Sequence, residues 1–193
     1  SRQFGISDVD ILVGGPPCQG YSGIGHRRSY GVEREQLPSN HLYQDMAYVI
    51  HRIRPKIFMF ENVRGLLNAR WTSAGEKGEI WEDVKATLSA IPGYRFEHAL
   101  VFAKDYGVPQ NRPRVLGVGI REDIKFDSSI GVAGGHLPAG LGGYPTMHEL
   151  LSDLVDPDYL SGPTLKYPNS ASSKVQKDLR RDPQTNRVRG KNS

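Results

Sequence analysis

The sequence is poor in sulfur, with one cysteine (Cys18) and three methionines among 193 residues. One cysteine cannot close an internal disulfide, and no Cys/His spacing of the kind that ligates a metal occurs, so a disulfide-stapled scaffold and a metal site are not expected. Long apolar runs are missing as well. None approaches the ~18 residues that cross a bilayer, and the first residues do not read as a signal peptide. The expectation is a protein without membrane contact in a reducing, intracellular compartment, cytoplasmic in a bacterium or nuclear in a eukaryote. Internal repeats are absent too. What remains is an ordinary globular balance of 37% hydrophobic and 24% charged residues. At this length it suits one domain, or one domain and part of another.

Charge is unevenly placed. From Lys174 onward seven Lys and Arg face two Asp, a net of +5, so with +4 for the whole chain everything before Lys174 sums to −1. The basic character belongs to the tail, which reads either as a phosphate-binding arm or as a solvated, disordered end.

Taken in order, Val9–Val13 is a short apolar run of strand character bounded by glycines. Leu42, Met46, Val49, Ile50 and Ile53 recur at helical spacing, and Pro55 closes that helix. Ile57–Phe60 reads as a buried strand. Ile80, Val84, Leu88 and Ile91 form a second helical stripe closed by Pro92-Gly93. Tyr94–Phe102 and Val115–Ile120 are further strands. Alternation of this kind predicts an α/β fold with a mostly parallel sheet and helices on its faces. Beyond Ile124 the pattern weakens, apart from a short helical piece at Met147–Leu154, and from Pro157 to Ser193 only loops and charge are expected.

The stretch that organises the chain is Gly14-Gly15-Pro16-Pro17-Cys18-Gln19-Gly20-Tyr21-Ser22. It presents the lone cysteine just past a strand's carboxyl end, on a corner whose two prolines fix φ at consecutive residues. That edge of an open α/β sheet is where ligands bind. A single intracellular cysteine serves either as a small apolar filler or as a reagent, and its Gly, Pro, Gln and Ser neighbours are poor core material. Two more polar clusters follow: Glu61-Asn62 after the second strand, and Gln110, Arg112 and Arg114 in the turn before the last. Between the corner and the first helix lies a basic, glycine-rich loop, Tyr21–Asn40, whose length suits a lid or binding loop.

Together these residues resemble the cytosine-carbon-5 DNA methyltransferases. Pro16-Pro17-Cys18-Gln19 is similar to that family's nucleophile motif, Glu61-Asn62-Val63 to its glutamate motif, and Gln110-Asn111-Arg112-Pro113-Arg114 to its Gln-x-Arg-x-Arg motif. Leu42-Tyr43-Gln44-Asp45 and Asp105-Tyr106-Gly107-Val108-Pro109 match in kind and order. The resemblance implies part of a Rossmann-like methyltransferase sheet with helices on both faces. It also implies methyl transfer from S-adenosylmethionine to a cytosine flipped out of double-stranded DNA. Cys18 would be the nucleophile, Glu61 the acid at ring nitrogen 3, and Arg112 and Arg114 groups at the nucleotide. Gln19, Ser22, Asn62 and Gln110 would be positioning residues, and Pro17 and Leu42 the cofactor contacts. A transfer-RNA relative with the same chemistry, or a non-catalytic DNA-binding subunit of a split enzyme, are the alternatives.

The family's Phe-x-Gly-x-Gly cofactor motif and the acidic residue of the following strand are not found. Asp153-Leu154-Val155-Asp156-Pro157 looks like the opening of the target-recognition region. The expected organisation is a catalytic core over 1–128 and the start of a recognition region with a basic tail over 129–193. The chain would then be a fragment, a split subunit or a chain with segments removed, binding cofactor weakly until a second polypeptide or segment supplies the glycine motif.

Overall fold

The computed structural model describes residues 9–17, 38–127, 129, 131–155 and 166–191. The chain divides into two compact units, one of residues 1–103 and 111–141, the other of 104–110 and 142–193.

Among the described residues the first unit is built on four strands: β1 (Ile11–Gly14), β2 (Ile57–Val63), β3 (Tyr94–Phe102) and β4 (Pro113–Arg121). Their order in the sheet is β1-β2-β4-β3. Helix α1 (Leu42–Ile53) joins β1 to β2, and α2 (Glu79–Ser89) joins β2 to β3. All six elements lie where apolar spacing predicts them. The pairing does not: β1 and β2 are parallel, but β4 runs antiparallel to both β2 and β3. Mostly parallel pairing is thus corrected to a mixed sheet. An apolar run does not encode its own direction, and the turn after β3 is short enough to return β4 beside it as a hairpin partner, whereas a parallel return needs a crossover.

Strand alternation sorts the sheet into two faces. Phe58 and Phe60 of β2 and Val115 of β4 are buried with Tyr43, Met46 and Ile50 of α1 and Ile80, Trp81, Val84 and Leu88 of α2. Both helices therefore cover this one face. Parallel crossovers are nearly always right-handed, and these two advance in the same direction, from β1 to β2 and from β2 to β3, so they deposit their helices on the same side. The other face, with Ile57, Met59, Val118 and Ile120, is covered not by a helix but by Ile124, Phe126, Ala133 and Leu137 of the segment after β4. Among the described residues helices thus flank one face of the sheet rather than two.

Two glycines in β4 make the aromatic core possible. A methyl group built on Gly119 would sit 2.0 Å from a Phe58 ring carbon, and one on Gly117 would sit 2.6 Å from the Phe96 ring. The rings fill the space these residues leave, Phe58 packing against Tyr94 and Phe96 with centroids 5.3 and 5.9 Å apart. Close backbone approach is a common reason for glycine inside a strand.

Among its described residues the second unit carries two short α-helices, α3 (Met147–Leu151) and α4 (Lys174–Leu179). Each opens on a capping box, Thr146 with Glu149 and Ser173 with Gln176. Helix α4 and the turn after it correct the expectation that 157–193 holds only loops. Among the described residues no helix is long and apolar enough to cross a membrane.

Candidate active site

β2 is apolar up to Phe60 and ends in Glu61-Asn62-Val63, so its polar residues fall at the carboxyl end. Register decides what meets them. Glu61 lies opposite Leu116 and Val63 opposite Arg114, which puts Glu61 and Arg114 on one face as diagonal cross-strand neighbours. Because β4 is antiparallel, its beginning, not its end, shares the sheet edge with the end of β2. That reversal brings Arg114 of the third polar cluster to the second.

The contact is made: Arg114 Nε lies 2.5 Å from Glu61 Oε1, with Arg114 one-fifth and Glu61 two-fifths exposed. Arg114 Nη1 also donates to the Pro113 carbonyl at 2.8 Å. A charge-assisted bond of this length fixes both side chains, and their partial exposure leaves the site open to an incoming group.

Asn62 points to the opposite face and is buried. Its Nδ2 donates to the Pro16 carbonyl at 3.1 Å, while its Oδ1 accepts from the Val63 amide at 2.8 Å. The side chain thereby ties the end of β2 to the Pro-Pro corner that leaves β1. Gly15 brings the two even closer, since a methyl group built there would lie 3.2 Å from Glu61 Oε2. At Gly14 the same construction meets Met46 Sδ of α1 at 2.8 Å. The glycine pair lets a carboxylate from one side and a helix from the other close onto the strand exit. Motif reading singled out neither Gly15 nor Met46 as a site residue; the doubled glycine before the prolines was the available signal.

Of the other residues expected at the site, Pro17 is exposed, and Leu42, the first residue of α1, is 37% exposed. Arg112 is exposed beside Arg114 in sequence. Gln110 is exposed and belongs to the second compact unit, where its amide donates to the Val108 carbonyl at 2.7 Å. Cys18, Gln19 and Ser22, with nearly all of the Tyr21–Asn40 loop, lie outside the described residues. No cluster of three His, Cys, Asp or Glu fit to hold a metal occurs among the described residues.

The C-5 cytosine-specific DNA methylase family matches over residues 1–192. The chain belongs to that family. Its similarity to the type II methyltransferase M.DdeI of Desulfomicrobium norvegicum is 31% identity over 93% of this chain and 40% of the relative. To M.BspRI of Lysinibacillus sphaericus it is 37% identity over 80% of this chain and 34% of the relative. The chain thus spans 34–40% of the length of these two curated relatives. Among solved structures, a DNA modification methyltransferase encoded within an E. coli prophage superposes with a TM-score of 0.52 at 22% identity, covering 80% of this chain and 38% of the other. At that identity the likeness concerns the fold.

Proposed function

We propose that the chain supplies the catalytic face of a DNA (cytosine-5-)-methyltransferase. Residues 1–128 form the core and 129–193 open the target-recognition region. The observation that carries this reading is the Arg114–Glu61 pair at the edge where Asn62 holds the Pro-Pro corner. Three separate motifs meet there, each bringing what the reaction needs.

Carbon 5 of cytosine is a poor nucleophile. Addition of the Cys18 thiolate at carbon 6 pushes electron density through the ring to carbon 5, which takes the methyl group as the donor's sulfonium–carbon bond breaks to leave a thioether; carbon 5 then gives up its proton to solvent and the thiolate leaves carbon 6, restoring the ring. S-adenosylmethionine supplies that methyl group as an electrophilic sulfonium substituent. The exposed Pro17 and Leu42 offer apolar surface to its nucleoside part. As charge enters the ring, the Glu61 carboxyl group holds a proton at ring nitrogen 3. Arg114 fixes the orientation of that carboxyl group, and its guanidinium and that of Arg112 face the base carbonyl and a phosphate, for which a planar fork suits better than an ammonium. Asn62 holds the corner, and Gln19, Ser22 and Gln110 position the nucleotide. A base inside a duplex is out of reach of all of these, so the target cytosine is flipped out at a cost of a few kcal/mol.

The cofactor half comes from a segment or polypeptide bearing the glycine motif. Ile11 and Val13 of β1 are 59% and 64% exposed on the face of β2's Ile57 and Met59, and α1 exposes Tyr48, Val49 and Ile53. Apolar side chains on an edge strand and its neighbouring helix suit burial under that missing half. Bacterial relatives named type II methyltransferases support a cytoplasmic setting in a bacterium and a place in a restriction-modification system.

The test is transfer of a labelled methyl group by the complete protein to duplex DNA and to transfer RNA. Transfer to carbon 5 of cytosine in DNA, abolished in Cys18→Ser, is expected. Transfer to transfer RNA alone, or none with Cys18 intact, would overturn the reading.

A further inference from the structure

A side-chain stack fixes the start of α1. One turn of 3-10 helix, Pro38–His41, leads into that helix, and His41 occupies its N-cap position. Ser, Thr, Asp or Asn at this position would accept from the first amides. Histidine is used differently here: its ring lies flat on the Trp71 indole, centroids 4.8 Å apart and planes 4° from parallel. Parallel planes at this separation, beyond the ~3.5–4.0 Å contact distance of carbon atoms, make an offset stack, the geometry aromatic pairs prefer.

Trp71 can hold His41 only if it is itself held. It lies in the connection between β2 and α2, partly buried against the core cluster that contains Tyr43 of α1. Its indole Nε1 donates to Asp83 Oδ2 at 2.6 Å, and its backbone amide donates to Glu79 Oε1 at 2.5 Å. Glu79 Oε2 accepts from the Glu76 amide at 3.0 Å, so both oxygens of this carboxylate are used. Gly75 makes room for it, since a methyl group built there would sit 2.1 Å from Glu79 Oε1. Asp83 and Glu79 both belong to α2, whose Ile80, Val84 and Leu88 are buried in the core.

Leu42, 37% exposed, is the residue after His41 and opens α1. The first turn of a helix lacks partners for its amides and frays first. Here α2 holds Trp71, Trp71 holds His41, and the position of Leu42 is thereby referred to the core. From this chain of contacts we infer that Trp71 is a positioning residue for the methyl donor, setting Leu42 against S-adenosylmethionine through His41. The inference rests on the reading of Leu42 as a cofactor contact. The role is indirect: neither cofactor nor cytosine has to meet the indole.

Calorimetric titration of S-adenosylmethionine into the complete protein tests it. Trp71→Leu removes the flat partner and should weaken binding by about three- to tenfold, the worth of an aromatic pair. Trp71→Phe keeps a ring on His41 and the amide bond to Glu79, and should stay within about twofold of the unaltered protein. His41→Leu should cost as much as Trp71→Leu, and the double variant no more than either, because the two side chains act as one contact. In steady-state transfer the KM for the methyl donor should rise with the Kd, while the KM for DNA and kcat at saturating donor hold. Binding unchanged in Trp71→Leu, losses that multiply in the double variant, or a KM for DNA that rises with the KM for the donor would each overturn the inference. In all three the unaltered protein still binds the donor, so the cofactor reading stands. No binding by the unaltered complete protein would overturn that reading and this inference with it, and the two failures are distinguishable.

Discussion

At the scale of single residues, the site depends on what is absent from Gly15 as much as on what Glu61 carries. The carboxylate stands 3.2 Å from where a side chain would begin, and Gly15→Ala forces it to give way by a few tenths of an ångström. The fold should survive, since the obstacle is a side chain at a partly open surface, while methyl transfer falls by about tenfold through misplacement. An unchanged rate with unchanged melting temperature would show that the approach is incidental. Glu61→Gln keeps the shape and removes the acid, so transfer should drop by about 10² to 10⁴-fold with substrate binding largely retained. A single-turnover assay separates the two effects.

These residues differ in how legible they are from sequence. Glu61 and Arg114 were each legible as polar residues beside an apolar strand, because each belongs to a motif that adjoins one. The contact between Glu61 and Arg114 was not. It depends on β4 running antiparallel and on a register that sets Arg114 across from Val63, and both are fixed by long-range pairing. Cys18 itself lies outside the described residues; of its motif the structure describes Pro16 and Pro17, with Asn62 on the Pro16 carbonyl.

At the scale of elements, helices α1 and α2 were readable because burial against the sheet imposes a 3.6-residue period, met by Met46 and Ile50 in one and Ile80, Val84 and Leu88 in the other. Helix α4 was missed although its signal was present. Its inner side is polar, Gln176 and Arg180, so no apolar period marks it, but the Ser173-x-x-Gln176 capping box does.

One element also carries a pH dependence. His98 of β3 packs edge-on against Trp81, ring centres 4.8 Å apart, and burial, helped by the positive charge of Lys85, holds its pKa below the ordinary 6.5. The unfolded chain therefore binds this proton more readily than the folded one, and the folded state loses stability as pH falls below 6.5 toward the lowered value. Between pH 7.5 and 5.5 the urea midpoint of the unaltered chain should fall further than that of His98→Phe. Equal shifts in the two would contradict this.

At the scale of the whole molecule, the two compact units are held by different means. The first has a continuous aromatic and aliphatic core. The second is organised by a buried ion pair, and among the described residues Asp153 Oδ1 and Arg180 Nε and Nη1 find no hydrogen-bond partner. Such a pair is costly to form and costlier to break, because removing one charge strands the other in a dry setting. Asp153→Asn should destabilise this unit by about 3–5 kcal/mol. Faster amide exchange in α3 and α4 reports it, and exchange indistinguishable from the unaltered chain would count against the pair as the organising contact. The pairing joins residues 27 positions apart, which no local pattern announces.

Covalent trapping shows whether the Cys18 thiolate and the Glu61 acid act together on an everted cytosine. The complete protein is incubated with S-adenosylmethionine and duplex DNA carrying 5-fluorocytosine at the target, where carbon 5 has no hydrogen to lose after methylation. A denaturation-stable protein–DNA adduct that maps by peptide sequencing to Cys18, absent in Cys18→Ser and much diminished in Glu61→Gln, is the predicted result. No adduct, or one attached at any other residue, would contradict the account.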